Sequence, residues 1–196
     1  LMLGRTQVAR GLPGRGEKAL LRAQAMAVDY GYQRESALAD EYLGELMIAR
    51  QDYRGAMANL NAALEKARRL APEGDVVAET LRRVGDVQYR MGSFSDALAT
   101  IEEGLRIANQ CGERYELGFF HRTHALCLAR RGDVDGAIRA MASSTAAFEE
   151  NGNPFEKAVS QQMLARICTR FPGEGVLLKA KAELTDGKPA GFVRAI

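Results

Sequence analysis

The sequence predicts an all-α protein built as a solenoid of antiparallel helix pairs, and three observations predict it. The five prolines (Pro13, Pro72, Pro154, Pro172 and Pro189) all lie within two residues of a glycine. Proline removes a backbone donor and clashes with the preceding helical turn, so this confinement marks boundaries between long helices. The stretches between are rich in Ala, Leu, Glu, Arg and Met, and none shows the sustained apolar/polar alternation of a strand. Finally, a small-residue pattern recurs. Ala19, Ala56, Ala97 and Ala137 follow one another at nearly even intervals, and Gly44, Gly85 and Ala125 precede the last three by one constant interval. Such a period denotes stacked supersecondary units, each unable to bury its apolar face alone.

The elements follow in order. A partial helix is expected over 1–10, either the second half of a pair or a frayed cap. Long helices are expected over 16–30, 34–50, 53–71, 75–91, 94–110, 114–131, 134–150 and 155–170, and a short one over 174–184. Gly31, Gly74, Gly112 and Gly152 are each expected to close a helix, with the next beginning within a few residues. About four helix pairs plus a C-terminal helix would form one domain over 1–184. Residues 185–196, with Gly187, Pro189 and Gly191, read as a tail or linker. The small residues allow the two helices of a pair to approach closely, while neighbouring Leu, Val, Ile and Met fill the seam.

Composition narrows the function. With 196 residues, 46% hydrophobic, 27% charged and a formal net charge of +2, the chain has a globular balance and no strongly basic footprint. Direct nucleic-acid contact is therefore not expected. No apolar run approaches the roughly 20 residues that span a bilayer. The start, Leu1-Met2-Leu3-Gly4, shows no secretory signal and no initiator methionine, so the chain is expected to be a piece of a longer protein. Three widely spaced cysteines (Cys111, Cys127 and Cys168) suit a reducing cytoplasm better than a disulfide framework.

Leu43-Gly44 … Tyr53 … Ala56 … Leu60 … Ala63-Leu64 is repeated as Val84-Gly85 … Phe94 … Ala97 … Ile101 … Gly104-Leu105. A weaker third copy runs Ala125 … Val134 … Ala137 … Met141 … Ser144. On these residues the chain, from about 5 to 170, resembles the tetratricopeptide repeat family. The usual Trp is missing, and the period exceeds the roughly 34 residues typical of the family. It is similar to the longer-helix variety in the sensory parts of bacterial transcriptional regulators and other signalling proteins. The paired loops Ala108-Asn109-Gln110-Cys111-Gly112-Glu113 and Phe148-Glu149-Glu150-Asn151-Gly152-Asn153 point the same way. The resemblance implies a superhelix whose concave inner face binds a protein or peptide, in a signalling or transcription-regulating setting.

If the helices carrying Gly44, Gly85 and Ala125 are the inner ones, three rows line that face. The first holds Glu41, Arg82 and Arg122; the second Glu45, Asp86 and Leu126; the third Ala49, Arg90 and Arg130. Extending the register adds Gln162, Arg166 and Arg170. The face would be acidic towards the N-terminus and arginine-rich towards the C-terminus, fitted for an acidic partner because guanidinium forks bind carboxylates and phosphates. Tyr89 and Phe119 would stand near the groove, Phe119 mainly in packing. Partner contact is thus assigned to Arg82, Asp86, Tyr89, Arg90, Arg122, Arg130, Arg166 and Arg170. The competing reading is a charge ladder, Glu45 with Arg82 and Asp86 with Arg122, leaving Arg90, Arg130, Arg166 and Arg170 without acidic neighbours. Arg outnumbers Lys 21 to 6 throughout, so part of the enrichment is compositional.

His121, His124 and Cys127 step along one helix at three-residue intervals, a spacing seen in metal ligands. The repeat alignment instead puts them in the columns of Leu81, of Leu43 and Val84, and of Leu46 and Val87, which pack. No metal or cofactor is expected. Gly11-Leu12-Pro13-Gly14-Arg15-Gly16-Glu17-Lys18 has Glu17 where a phosphate loop needs lysine, and no strand precedes it. No hydrolase or zinc-protease motif occurs, so no catalytic residues are assigned. The leading expectation is a non-enzymatic interaction module. The alternatives are an oligomerising scaffold that joins copies, a homodimer for example, through outer helices or end repeats, and a phosphatase-type helical effector.

Overall fold

The structure, a computed structural model, describes residues 1–172 and 174–185. They form ten helices: α1 (Met2–Ala9), α2 (Pro13–Asp29), α3 (Gln33–Ala49), α4 (Tyr53–Leu70), α5 (Asp75–Met91), α6 (Phe94–Cys111), α7 (Arg114–Arg130), α8 (Val134–Glu150), α9 (Pro154–Arg170) and α10 (Glu174–Thr185). The described residues contain no strand. The expected helices are all present, with ends shifted by at most a few residues. The largest shift is at α2, which starts at Pro13 rather than 16: a proline at the first helical position has no intrahelical acceptor to miss. The expected tail begins at the last residue of α10, and 186–196 lie outside the described residues.

Each helix packs on the next, and α3, α5 and α7 also touch one another in succession. Helices α3, α5 and α7 therefore line the inner side of the stack, with α4 and α6 outside. At the C-terminal end α10 lies mainly across α8, where Lys179 pairs with Asp135 at 2.5 Å.

The repeat unit is closer to constant than the alanine spacing implies. A methyl group on Gly4 would stand 2.7 Å from Leu20 Cγ, just as one on Gly44 would stand 2.7 Å from Leu60 Cγ and one on Gly85 2.9 Å from Ile101 Cγ1. Gly4 thus occupies the column of Gly44, Gly85 and Ala125, with spacings of 40, 41 and 40. The structural counterpart of Ala56 is then Gly16, not Ala19. So α1 is the first helix of a pair, correcting the reading as a second half or a frayed cap. The same spacing recurs in the turns inside the pairs, where Gly11, Gln51, Gly92 and Gly132 all have positive φ. Between pairs, Gly31, Gly112 and Gly152 take that conformation, but Gly74 does not close a helix. It caps the N-terminus of α5, and extended Ala71 ends α4 because the residue before a proline avoids the α region.

Capping side chains set several helix starts. Asp52 and Asp133 accept from the amides of Gly55 and Gly136 at 2.9 and 2.8 Å, and Asn153 accepts from Glu156 at 3.1 Å. The core is distributed along the stack. One buried cluster joins α3–α7 around Leu81, Ile101, Ile107 and Phe120, and another joins α7–α10 around Ile138, Met141, Leu164 and Ala180.

Candidate functional site

The inner face of α5, α7 and α9 carries two adjoining cavities. The first, about 400 Å³, is walled by Arg82, Asp86, Arg90, Phe119, Arg122 and Thr123. The second, about 360 Å³, is walled by Ala129, Arg130, Arg166, Ile167 and Arg170. Tyr89, Leu126 and Met163 border both, so the two form one continuous trough. All eight residues assigned to partner contact line it. Thr123, Ala129, Met163 and Ile167 were missed: Met163 and Ile167 follow directly on Gln162 and Arg166 of the inner-face rows, and nothing in their residue types sets them apart from core.

The arginines of the first cavity are already bound. Arg82 Nε pairs with Glu116, and its guanidinium lies 4.9 Å from the centroid of the Phe119 ring. Arg122 donates to Glu156 Oε2 at 2.7 Å, to the Glu156 carbonyl at 2.7 Å and to Ser160 Oγ at 3.0 Å, and it stacks on Phe119 and Phe148. Ser160 in turn bonds Ser144, which donates to the Gly118 carbonyl, so a buried polar chain ties α7, α8 and α9 together. Phe119 sits edge-on to Phe148 at 4.9 Å and to Tyr115 at 5.2 Å, the packing role expected of it. Arg90 Nε donates to Asp86 at 2.8 Å, so Arg90 has an acidic neighbour after all, one turn back on its own helix.

The ladder Glu45–Arg82 and Asp86–Arg122 is not formed. Arg82 and Arg122 instead reach forward, by the same interval along the chain, to Glu116 and Glu156 in the first turns of α7 and α9. Successive inner helices are staggered, so the middle of one lies beside the start of the next. The equal spacing of these two Arg–Glu pairs was the signal available in the sequence. Glu41 also departs from expectation, since it does not face the groove. It is fully buried between α3 and α5 against Arg83. Burial lifts its carboxyl to about 7, against the pull of Arg83. Glu45 is held by Arg5 at 3.4 Å and Arg83 at 3.8 Å, so the acidic end of the groove is largely neutralised within the protein.

The second cavity is different. Arg130 Nε donates weakly to Tyr89 Oη at 3.5 Å, and Arg170 stacks on Phe171. Among the described residues, no carboxylate lies within ion-pair distance of Arg130, Arg166 or Arg170. Equivalent positions explain why. The pair one turn apart reads Asp86 and Arg90 on α5, Leu126 and Arg130 on α7, and Arg166 and Arg170 on α9. The compensating acid is lost on α7 and replaced by a second arginine on α9. Arg90, Arg130 and Arg170 also stand in last turns, where the helix dipole favours a cation. Arg166, a turn earlier, owes less to that effect.

His121 and His124 are half-buried, and burial lowers both their pKa values, so neither adds charge to the trough at neutral pH. Cys127 is fully buried and its thiol is pushed up to about 11, leaving it unreactive. Among the described residues no three His, Cys, Asp or Glu side chains are grouped to hold a metal, and no helix is long and apolar enough to cross a membrane.

Comparison with known proteins agrees with this fold. No curated protein matches the chain in sequence. Among solved structures, BtubC (BKLC) from P. vanneervenii superposes with a TM-score of 0.68 at 15% identity, over 92% of this chain and 76% of that one, a likeness of fold. The tetratricopeptide repeat family model matches residues 35–110, and repeats of this family generally mediate protein–protein interaction. Residues 35–110, helices α3 to α6, are thus similar to tetratricopeptide repeats, and they are set in a stack whose helix pairs continue with the same spacing on either side.

Proposed function

We propose that the chain is a protein-binding module that holds an extended acidic segment of its partner in the trough of α5, α7 and α9. The observation that carries this is the contrast between the two cavities. In the first, Arg82, Arg90 and Arg122 are bound within the protein. In the second, Arg130, Arg166 and Arg170 have no carboxylate among the described residues. Like charges gathered on a concave wall repel one another, and an anionic partner offsets that cost. Leu126 and Met163 give the same segment an apolar floor. The long repeat supports a setting as the interaction part of a larger bacterial signalling or transcription-regulating protein, with 1–184 acting as one repeat domain.

A paired capture experiment tests the trough. One bait is the chain as it stands; the other carries Arg130→Glu, Arg166→Glu and Arg170→Glu, with helical circular dichroism showing equal folding. A partner retained by the first and lost by the second supports the assignment, and equal retention refutes it. A second reading, self-association through the N-terminal end, is favoured by Met2 and Leu3, 66% and 65% exposed on α1. Light scattering separates the two: self-association gives a dimer that survives the triple substitution.

A further inference from the structure

The cavity bounded by Tyr89, Arg130, Arg166 and Arg170 is more specific than a basic groove, and we infer that it receives a phosphorylated side chain of the bound segment. This rests on the trough being the binding face and deepens that reading. A single carboxylate carries one charge and is satisfied by one guanidinium fork. Three guanidinium groups around one open cavity, with no carboxylate among the described residues within ion-pair distance of them, match a group that carries close to two charges and three acceptor oxygens.

The repeat comparison supplies the independent argument. Position 166 corresponds to Asp86 on α5 and Leu126 on α7, so the scaffold accommodates an acid or an apolar residue there. Only α9 places arginine at both positions, one turn apart, opposite Arg130 at the end of α7. The dipole of a helix C-terminus favours one cation in its last turn and gives no reason for the second. Tyr89, half-buried and already within reach of Arg130, adds a hydroxyl donor at the boundary between the cavities. The segment would lay its phosphorylated residue in the arginine cavity and an apolar neighbour over Leu126 and Met163.

The test uses three degenerate peptide libraries, identical but for a fixed central phosphoserine, aspartate or serine, passed over the immobilised chain at constant ionic strength. Three proteins are compared: the unaltered chain, Arg166→Leu/Arg170→Leu, and Arg139→Leu, which removes an exposed charge from α8, away from the residues that line the trough. The expected result is retention of the phosphoserine library about tenfold above the aspartate library, as one to three added charge-assisted hydrogen bonds allow. That advantage should vanish in Arg166→Leu/Arg170→Leu and persist in Arg139→Leu. Equal retention of the phosphoserine and aspartate libraries, both weakened by Arg166→Leu/Arg170→Leu, would overturn the phosphate assignment and leave the acidic-segment reading standing. Retention of no library, or retention indifferent to position 166 and 170, would overturn both.

Discussion

Gln51 shows how much a single position is bound by its repeat. It is the one non-glycine with positive φ among the described residues, at 61°, in a turn column otherwise filled by Gly11, Gly92 and Gly132. The left-handed conformation crowds a Cβ against the backbone at a cost of roughly 1–2 kcal/mol, part of which glycine regains as disorder in the unfolded chain. Gln51→Gly is therefore expected to stabilise the protein by about 0.5–1 kcal/mol in chemical denaturation. An unchanged or lower midpoint would mean that the Gln51 side chain makes a compensating contact. Arg82 and Arg122 illustrate the reverse relation. Both were legible as inner-face arginines, yet of their roles as clamps on Glu116 and Glu156 the sequence holds only the equal spacing of the two pairs, because a side chain's partner depends on how neighbouring helices are staggered.

At the scale of the element, helices were readable to within a few residues because local chemistry marks their ends, the largest miss being the start of α2 at Pro13. Pro13 and Pro154 stand at first positions, Asp52, Asp133 and Asn153 cap, and glycines in the left-handed region terminate. The misreading of α1 had a physical source. Its partner helix carries Gly16 in the column where the other repeats carry alanine, so a search for alanine slipped to Ala19. Close approach between elements also depends on glycines that no local rule singles out. The Phe120 ring occupies the place where a methyl group on Gly104 would lie, and the Phe148 ring lies against Gly118 in the same way. Phe120 is fully buried and has no room to retreat. Gly104→Ala should destabilise the α6–α7 contact by roughly 1–3 kcal/mol despite alanine's better helix propensity. A thermal melt showing stabilisation would contradict that packing.

Across the whole molecule, the repeats are held by neighbour contacts, and one of these is ionic and buried. Glu41 and Arg83 join α3 to α5, with Glu45 and Glu79 beside Arg83. Because burial raises the folded Glu41 carboxyl from its ordinary 4.5 to about 7, the folded state holds a proton that the unfolded chain has released between those values. The contribution of Glu41 is thus most favourable below pH 4.5 and is lost as pH rises through 7, a change on the order of 3 kcal/mol. His121 and His124, whose folded pKa values are lowered, contribute in the opposite sense over the same range, so the decline is read as the difference between the unaltered chain and Glu41→Gln in denaturation at pH 5 and pH 8. A profile unchanged by that substitution would show that Arg83 holds Glu41 ionised throughout.

The sequence by itself determined the helices, most of their turns, the long repeat period and the inner-face rows apart from Glu41, since each rests on contacts within a turn or a recurrence along the chain. It also placed all eight assigned residues on one trough. Only the tertiary structure decided which charges are available. The offset between successive inner helices pairs Arg82 with Glu116 and Arg122 with Glu156, and it turns Glu41 inward. The same geometry leaves Arg130, Arg166 and Arg170 facing open space, because an ion pair forms between side chains that superhelical stacking brings together, and no spacing rule within one helix specifies that.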